Sequence, residues 1–352
     1  MGLDVGKGHV MKKLFNPPPN LFEESPEDFI RNLSEPVMIF KEGVNKTRTR
    51  GIVTLLHGNE PSGLRAVHKW LKSGVQPLCN IVCFIPSIPA AIIDPIFKYR
   101  VFPGQRDMNR CFLPPYNDEP GKRAEEILQI FSEYQPECII DVHNTSGHSP
   151  DFGVVTFEDS AHEALVSLFT DRMIVTDLRL GALMETSSSK CPVVTIECGG
   201  AEDQSADEVA CKGLDKYLHQ DNVLQLEHGH HLDLYRHPVR LELAPDCVVA
   251  YSDSYILGTD LTVLSGVDKF NFGEVERGEL IGWLGNKKGS DCVNVKDSQG
   301  FDVFDKYFEV KGNQLLTAQT LKLFMITTRP DIAIGDCLLY ATAESEHDIL
   351  DT

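Results

Sequence analysis

From residue 51 onward, apolar strand-like runs alternate with stretches of helical periodicity, and this alternation limits the folds that the chain can adopt. Candidate strands occupy residues 51–56, 80–88, 138–143, 152–156, 172–177 and 193–197. Candidate helices occupy residues 62–74, 121–134, 160–170 and 202–219. Because these strands are almost continuously apolar, both faces of their sheet must be buried. The pattern therefore predicts an α/β fold in which a mostly parallel sheet is covered by helices on both faces.

The sequence pattern before and after the predicted α/β domain differs from the pattern within it. Residues 1–50 lack the alternation and are predicted to form a peripheral N-terminal segment, whereas residues 51–235 form the α/β domain. After about residue 235 the helical periodicity ends, and short strand-like runs are interrupted by Gly, Pro and Asp. Residues 236–345 are therefore predicted to form a smaller, β-rich C-terminal domain.

Composition narrows the classes of function. The 352-residue chain has a formal net charge of −19, so nucleic acid, which it would repel, is not an expected partner. No apolar run approaches the ~18 residues that span a bilayer, and the N-terminal sequence lacks the apolar segment of a secretory signal. The ten cysteines include no C-x-x-C pair, which favours reduced thiols. We expect a cytoplasmic protein without membrane contact, and a homo-oligomer is compatible with these features.

The first candidate site lies where the strand at 51–56 ends. His57 and Glu60 follow that strand in HGNEP, just before the helix that Pro61 and Ser62 begin. In an open α/β sheet, ligands bind beyond the carboxyl ends of the strands. Imidazole and carboxylate are suitable zinc ligands, and a catalytic zinc usually takes three protein ligands. An H-x-x-E pattern on its own is a weak signal, because His and Glu are frequent in ordinary polar turns.

A second histidine, His143, lies at the end of another apolar strand, CIIDVH. Asp141 precedes it by two residues, so both side chains lie on the same face of the strand. A carboxylate in that position could orient a ligand histidine through a hydrogen bond. Two histidines at two strand ends predict a metal site more strongly than either residue alone.

Glu197 ends the β-branched run PVVTIE and is also placed at a predicted strand end. A carboxylate that does not bind the metal can serve as a general base. The alternative is a solvated or ion-paired glutamate without a catalytic role.

The segment Lys98–Arg110 contains four basic residues and one acidic residue, in a chain that is otherwise strongly acidic. It could be a cluster of surface ion pairs. It could also bind an anionic substrate, because the planar guanidinium of arginine matches a carboxylate with two hydrogen bonds.

Four motifs in a fixed order resemble the aspartoacylase/succinylglutamate desuccinylase family, a branch of the zinc carboxypeptidase clan. They are HGNE (57–60), RDMNRCF (106–112), DVHNT (141–145) and VTIECGG (194–200). The resemblance covers roughly residues 50–200, and the appended β-rich region is also similar to that of the family. It implies a zinc-carboxypeptidase-like fold and one Zn²⁺ per chain, bound by His57, Glu60 and His143.

The resemblance also implies roles for other residues. Glu197 corresponds to the general base, and Asn109 and Arg110 correspond to the pair that binds the substrate carboxylate. A further arginine of the family polarises the scissile carbonyl; Arg100 is the candidate here, and Arg106 is the alternative.

One position departs from the family. Aspartoacylases carry an arginine ten residues before the catalytic glutamate, where it contacts the aspartate part of the substrate, and this chain has Ser187 there. A dicarboxylate such as N-acetylaspartate is therefore not the expected substrate.

These implications predict a zinc-dependent amidohydrolase that cleaves the linear amide of a small, anionic N-acyl amino acid. In the family the β domain narrows the entrance of the pocket, which favours small substrates. Two alternatives keep the same fold: a metallocarboxypeptidase that acts on peptides, and a catalytically silent binding protein.

Overall fold

The computed structural model describes residues 11–145, 147–226, 231–285 and 289–343. The chain divides into two compact units. The first extends to Asn144 and also includes Asp151–Met173 and Arg179–Asp233. The second comprises Thr145–Pro150, Ile174–Leu178 and the chain from Leu234 onward. The predicted outer limits of the domains, residues 1 and 345, lie outside the described residues.

The α/β part of the chain contains nine strands and six helices in the described residues. The strands are β1 (Lys12–Phe15), β2 (Val37–Lys41), β3 (Asn45–Thr54), β4 (Cys79–Ile85), β5 (Ile139–Thr145), β6 (Phe152–Val155), β7 (Arg172–Val175), β8 (Val193–Gly200) and β9 (Asp233–Arg236). The helices are α1 (Pro26–Leu33), α2 (Ser62–Ser73), α3 (Ile88–Ala91), α4 (Glu119–Tyr134), α5 (Ser160–Ser167) and α6 (Gln204–His219).

Capping residues explain where several helices begin and end. The hydroxyl of Ser25 accepts a hydrogen bond from the amide of Asp28 at 3.1 Å, which starts α1. Asp118 accepts from the amide of Gly121 at 2.9 Å, so α4 begins two residues earlier than its periodicity predicts. Gly74 adopts φ +70° after α2, a left-handed conformation that glycine reaches without steric cost.

The sheet of the first unit has the strand order β1-β2-β4-β3-β5-β8-β6. The pairs β1–β2, β3–β4 and β3–β5 are parallel, whereas β2–β4 and β6–β8 are antiparallel. The predicted class, a mostly parallel sheet with helices, is confirmed. The segment before residue 50, which was expected to be peripheral, supplies β1 and β2 of this same sheet.

Helices cover the sheet on both faces. On one face, Phe131 of α4 packs edge-on against Phe84 of β4, with ring centroids 4.9 Å apart. On the opposite face, α2 approaches so closely that a Cβ at Gly63 would lie 2.9 Å from Cβ of Val142. Glycine at position 63 therefore brings the start of α2 directly onto β5.

The second unit is built from two five-stranded sheets. Its strands are β10 (Val239–Leu243), β11 (Val249–Tyr251), β12 (Leu261–Val263), β13 (Glu274–Val275), β14 (Leu280–Leu284), β15 (Val293–Lys296), β16 (Phe308–Lys311), β17 (Gln314–Thr317), β18 (Leu321–Phe324) and β19 (Leu339–Ala343). Three short helices accompany them: α7 (Gly289–Cys292), α8 (Phe304–Tyr307) and α9 (Pro330–Gly335).

The two sheets of this unit share one apolar core. Their strand orders are β13-β18-β19-β10-β15 and β11-β12-β14-β17-β16. Leu241 and Leu323 of the first sheet and Val263, Ile281 and Leu315 of the second are all buried in the same cluster. The predicted β-rich C-terminal region is confirmed. In the described part of the chain, no helix combines the length and the hydropathy that crossing a bilayer requires.

Candidate active site

The turn that carries His57 and Glu60 begins directly after β3. Leu55 has φ +55°, so the chain leaves the strand direction at once, and the hydroxyl of Ser87 donates to the carbonyl of Leu56 at 2.7 Å. The amide of Gly58 donates to the carbonyl of Arg100 at 2.8 Å. A Cβ at Gly58 would lie 2.6 Å from the carbonyl oxygen of Tyr99, so only glycine permits this approach. The turn is thereby held against the segment that contains Arg100.

His57, Glu60 and His143 meet at one point, and all three side chains are buried. Nδ1 of His57 lies 2.7 Å from Oε1 of Glu60, and Nδ1 of His143 lies 2.6 Å from Oε2 of the same carboxylate. One potential ligand atom from each residue falls within 4.8 Å of the other two. The structure therefore brings together the three residues that the sequence nominated as metal ligands.

A second carboxylate lies behind each histidine. Nε2 of His57 is 2.9 Å from Oδ1 of Asp107, and Nε2 of His143 is 2.9 Å from Oδ2 of Asp141, the latter pair without hydrogen-bond geometry. Asp141 therefore lies beside His143, as its position two residues earlier predicted. Asp107 was missed by the sequence analysis, which treated it only as the acid of a basic segment; its place in RDMNRCF was the available signal.

The pKa shifts in this cluster follow from its close charges. Burial alone would raise the pKa of Glu60, but the two histidines outweigh it and lower that pKa below its ordinary value. Burial alone would lower the pKa of His143, but Asp141 and Glu60 raise it well above the usual range. The pKa of His57 is raised in the same way, against burial and Arg100, by Asp107 and Glu60. Both imidazoles thus lie in a strongly negative environment.

The three central residues fit a divalent cation such as zinc. Two imidazole nitrogens and one carboxylate form a donor set typical of catalytic zinc. A cation at Nδ1 requires a neutral imidazole that carries its hydrogen on Nε2. Asp107 is placed to receive that hydrogen from His57, whereas Asp141 lies 2.9 Å from Nε2 of His143 without hydrogen-bond geometry. The negative surroundings that raise the pKa of both histidines would also stabilise a bound cation.

The two candidate arginines have different surroundings. Arg100 donates from Nη1 to Oε1 of Glu60 at 3.1 Å and from Nη2 to Oδ2 of Asp107 at 3.0 Å. Arg106 instead donates from Nη2 to Oδ1 of Asp118, the N-cap of α4, at 3.0 Å. Arg100 therefore lies beside Glu60, one of the potential metal ligands, whereas Arg106 pairs with Asp118 at the start of α4.

Asn109 and Arg110 form a short 3-10 turn that Asp107 caps. Oδ1 of Asp107 accepts from the amide of Asn109 at 2.7 Å. The side-chain oxygen of buried Asn109 accepts from the amide of Leu183 at 3.0 Å, so its Nδ2 is the end that remains a donor. Nη1 of Arg110 donates to the carbonyl of Asn109 at 2.9 Å. These contacts connect the predicted carboxylate-binding pair to Asp107, and through it to His57.

Glu197 is buried within β8, opposite Phe152 of β6. The strand continues to Gly200, so Glu197 lies inside it and not at its end as the sequence suggested. Its Oε2 has no hydrogen-bond partner among the described residues. Burial raises the pKa of Glu197 to about 7, with Glu60 adding to the rise and the histidines opposing it. Such a carboxyl group can exchange a proton near neutral pH.

Ser187 is also buried, but its hydroxyl is occupied. Oγ of Ser187 lies 2.8 Å from Nε2 of His162 and accepts from the amide of Val193 at 2.9 Å. His162 in turn has Nδ1 2.8 Å from Oδ1 of Asp159, the N-cap of α5. Serine at this position therefore supports the packing of α5 and β8, which sequence spacing could not reveal.

Comparison with known proteins gives matches of structure only. No protein-family model and no curated protein sequence matches the chain. The structure of succinylglutamate desuccinylase/aspartoacylase from Rhodobacter sphaeroides is similar over 82% of this chain and 82% of that one, with 14% identity and a TM-score of 0.52. That of succinylglutamate desuccinylase from Vibrio parahaemolyticus is similar over 86% and 97%, with 15% identity and a TM-score of 0.51.

Murine aminoacylase 3 is similar over 84% of this chain and 95% of its own, with 15% identity and a TM-score of 0.50. Identities this low support a statement about the fold alone. The resemblance that the four motifs carry is thus confirmed at the level of architecture. The chain has the fold of the succinylglutamate desuccinylase/aspartoacylase structures.

Proposed function

We propose that this protein is a zinc-dependent deacylase that hydrolyses the amide bond of small N-acyl amino acids. The observation that carries the proposal is the buried meeting of His57, Glu60 and His143, whose potential ligand atoms lie within 4.8 Å of one another. The fold that the chain shares with desuccinylase and aminoacylase structures supports the same reaction class.

His57, Glu60 and His143 would hold one Zn²⁺. When bound, the ion supplies Lewis acidity, which polarises a carbonyl group and makes a nearby water more acidic. Asp107 would keep the imidazole of His57 in the tautomer that leaves Nδ1 free for the cation, and the charge of Asp141 beside Nε2 of His143 would favour the same tautomer there.

Glu197 is proposed as the general base. Its unpartnered Oε2 accepts a proton from water as the water oxygen bonds to the carbonyl carbon. Glu197 then delivers that proton to the amide nitrogen, and the carbon–nitrogen bond breaks to give a carboxylic acid and an amine. The acid loses its remaining proton to the released amine, so the products leave as a carboxylate and an ammonium group. A pKa of about 7 suits a group that must both accept and release a proton near neutral pH.

Arg100 is proposed to stabilise the negative charge that develops on the carbonyl oxygen. Its guanidinium is held by two carboxylates, Glu60 and Asp107, and this fixes its position before the substrate arrives. Asn109 and Arg110 would bind the substrate carboxylate, with the Nδ2 group of Asn109 as one donor.

The substrate is proposed to carry one carboxylate and a neutral side chain. The hydroxyl of Ser187 is committed to His162 and Val193, and a serine offers no positive charge for a second carboxylate. An unpaired buried charge is costly, so N-acetylaspartate would bind poorly.

We further propose that residues 51–235 are the catalytic domain, that residues 236–345 form a separate domain, and that the protein is cytoplasmic.

The proposal is tested by metal content and by a substrate panel. Elemental analysis should find about one zinc per chain in the wild type and little in His57→Ala, since catalytic zinc needs its three ligands. His219→Ala removes a histidine at the end of α6 and is the matched control. Equal zinc in the wild type and in His57→Ala would contradict the proposed ligand set.

The panel contains N-acetyl and N-succinyl amino acids, N-acetylaspartate, and short and long peptides, with amine release as the readout. We expect the best hydrolysis for acyl amino acids with neutral side chains. Efficient trimming of long peptides would favour a carboxypeptidase, and stoichiometric zinc without any hydrolysis would favour a binding protein.

A further inference from the structure

Asn144 directly follows His143 in β5 and is almost fully buried, with 2% of its surface exposed. Its side-chain oxygen accepts from the amide of Ser62 at 3.0 Å. Its side-chain nitrogen donates to the hydroxyl of Ser62 at 2.9 Å and to the carbonyl of Gly199 at 3.1 Å. Its own backbone amide donates to Oε2 of Glu60 at 3.4 Å. One residue thus contacts the turn before α2, the start of α2 and the end of β8.

The contact with Ser62 replaces a missing helix cap. The N-cap position of α2 is Pro61, which offers no side-chain acceptor for the first amides of the helix. Asn144 supplies that acceptor from a different strand, and without it a buried amide would lose its partner. The turn from His57 to Pro61 is therefore fixed at its far end by Asn144.

The contact with Gly199 connects the same side chain to the proposed base. Gly199 lies two residues after Glu197 on β8, and the planar amide of Asn144 bridges from Gly199 to Ser62. Ser62 is held in turn, because its hydroxyl donates to Asp207 of α6 at 2.6 Å. The amide of Asn144 therefore sets the spacing between the turn that carries Glu60 and the strand that carries Glu197.

We propose that Asn144 is a positioning residue for the metal ligand Glu60 and the base Glu197. This inference rests on the proposed function, because it assumes that Glu60 binds zinc. Residues that orient metal ligands typically cost ~10–100-fold in metal affinity or activity when they are replaced. Asn144→Ala should therefore weaken zinc binding by ~10–100-fold and lower kcat more than it raises KM.

Asn80 offers a matched control away from the site. It is also buried, its side-chain oxygen accepts from the amide of Gly43 at 3.0 Å, and its nitrogen donates to the carbonyl of Lys46 at 2.9 Å. It lies at the beginning of β4, at the end of the strand opposite to the predicted ligand edge. Asn80→Ala should lower Tm as Asn144→Ala does, because each leaves buried backbone groups unpaired, but its zinc affinity should stay unchanged.

The experiment measures the zinc dissociation constant by competition with a chromophoric chelator, together with Tm, for the wild type and both variants. Weaker zinc binding in Asn144→Ala alone supports the inference. Equal affinity in the wild type and Asn144→Ala would overturn it, and so would an equal loss in Asn80→Ala. A wild type that binds no zinc would overturn the proposed function itself, and this inference with it.

A second variant covers the case in which Asn144→Ala does not fold. Ser62→Ala removes the hydroxyl that Asn144 contacts but keeps the backbone amide bonded to Oδ1. We expect a smaller, several-fold loss of zinc affinity, because only part of the bridge is removed. Unchanged affinity in a folded Ser62→Ala protein would contradict the bridge.

Discussion

Replacing Glu197 by glutamine should abolish most activity and, in the metal-free protein, increase stability. Glutamine has nearly the same shape, and Glu197 makes no hydrogen bond through Oε2 that the change would break. The variant should therefore fold and keep its zinc. Loss of the proposed base should lower turnover by ~10²–10⁴. That loss corresponds to about 3–5 kcal/mol in the activation free energy.

The stability gain follows from the pKa of the buried carboxyl. Burial raises the pKa of Glu197 from 4.5 to about 7. At 1.36 kcal/mol per unit, ionisation of Glu197 therefore costs the folded state about 3 kcal/mol relative to the unfolded chain. The cost is fully present above pH ~7, declines between pH ~7 and ~4.5, and is absent below that range, because the folded group is then protonated. Neutral glutamine carries no such cost at any pH.

The assay combines turnover of an N-acyl amino acid with urea unfolding of chelator-treated protein at pH 8 and pH 4. Glu197→Gln should gain up to about 3 kcal/mol over the wild type at pH 8 and close to nothing at pH 4. Glu208→Gln on α6, where the carboxylate pairs with Lys212 on the surface, is the control and should change neither quantity much. Near-normal turnover in Glu197→Gln would assign the base elsewhere, and equal stability at pH 8 would refute the argument from burial.

Three further predictions concern the charged groups around this site. Arg100→Lys should lower kcat/KM by ~10-fold or more, because lysine lacks the planar guanidinium that contacts both Glu60 and Asp107. Arg106→Lys should change kcat/KM little, and equal losses in the two variants would contradict the proposed role of Arg100. Arg110→Ala should reduce the preference for an acyl amino acid over its C-terminal amide by ~10–100-fold, which is the usual contribution of a charge-assisted hydrogen bond. A wild type without that preference would refute the role of Arg110 in binding the substrate carboxylate. Zinc affinity should fall as pH decreases from 8 to 6, because the raised pKa of His143 requires zinc to displace a proton; pH-independent affinity in chelator competition would argue against imidazole ligands.

The class of the fold could be predicted from local sequence patterns. Continuous apolar runs separated by helical periodicity specify a sheet that is buried on both faces, and this holds whatever the order of the strands. Some helix limits are also local, since Ser25 caps α1 and Gly74 ends α2 through contacts within a few residues, whereas the start of α2 depends on the distant Asn144. These features depend on neighbours in the chain, which the sequence displays directly.

The place of the N-terminal segment could not be predicted in this way. β2 pairs antiparallel with β4, some forty residues later in the chain, and β1 pairs with β2. The position of a strand in the sheet depends on pairing with residues that are distant in the sequence. A short segment such as Lys12–Phe15 carries no local signal for that choice.

The same distinction applies to the candidate site. His57, Glu60 and His143 could be nominated from sequence because each follows an apolar strand or lies close to its carboxyl end, and the ends of parallel strands lie at one edge of a sheet; β5 in fact continues two residues beyond His143, to Thr145. The partners of these residues could not be nominated. Asp107 lies 50 positions from His57, and Gly199 lies 55 positions from Asn144.

The choice between Arg100 and Arg106 shows why the partners of a site residue could not be predicted from the sequence. Both arginines lie in one basic segment, and their spacing from Asn109 does not distinguish them. Arg106 pairs with Asp118 at the start of α4, whereas Arg100 lies between Glu60 and Asp107. A long charged side chain takes whichever opposite charge the path of the loop brings within reach, and that path is set only when the strands and helices have packed.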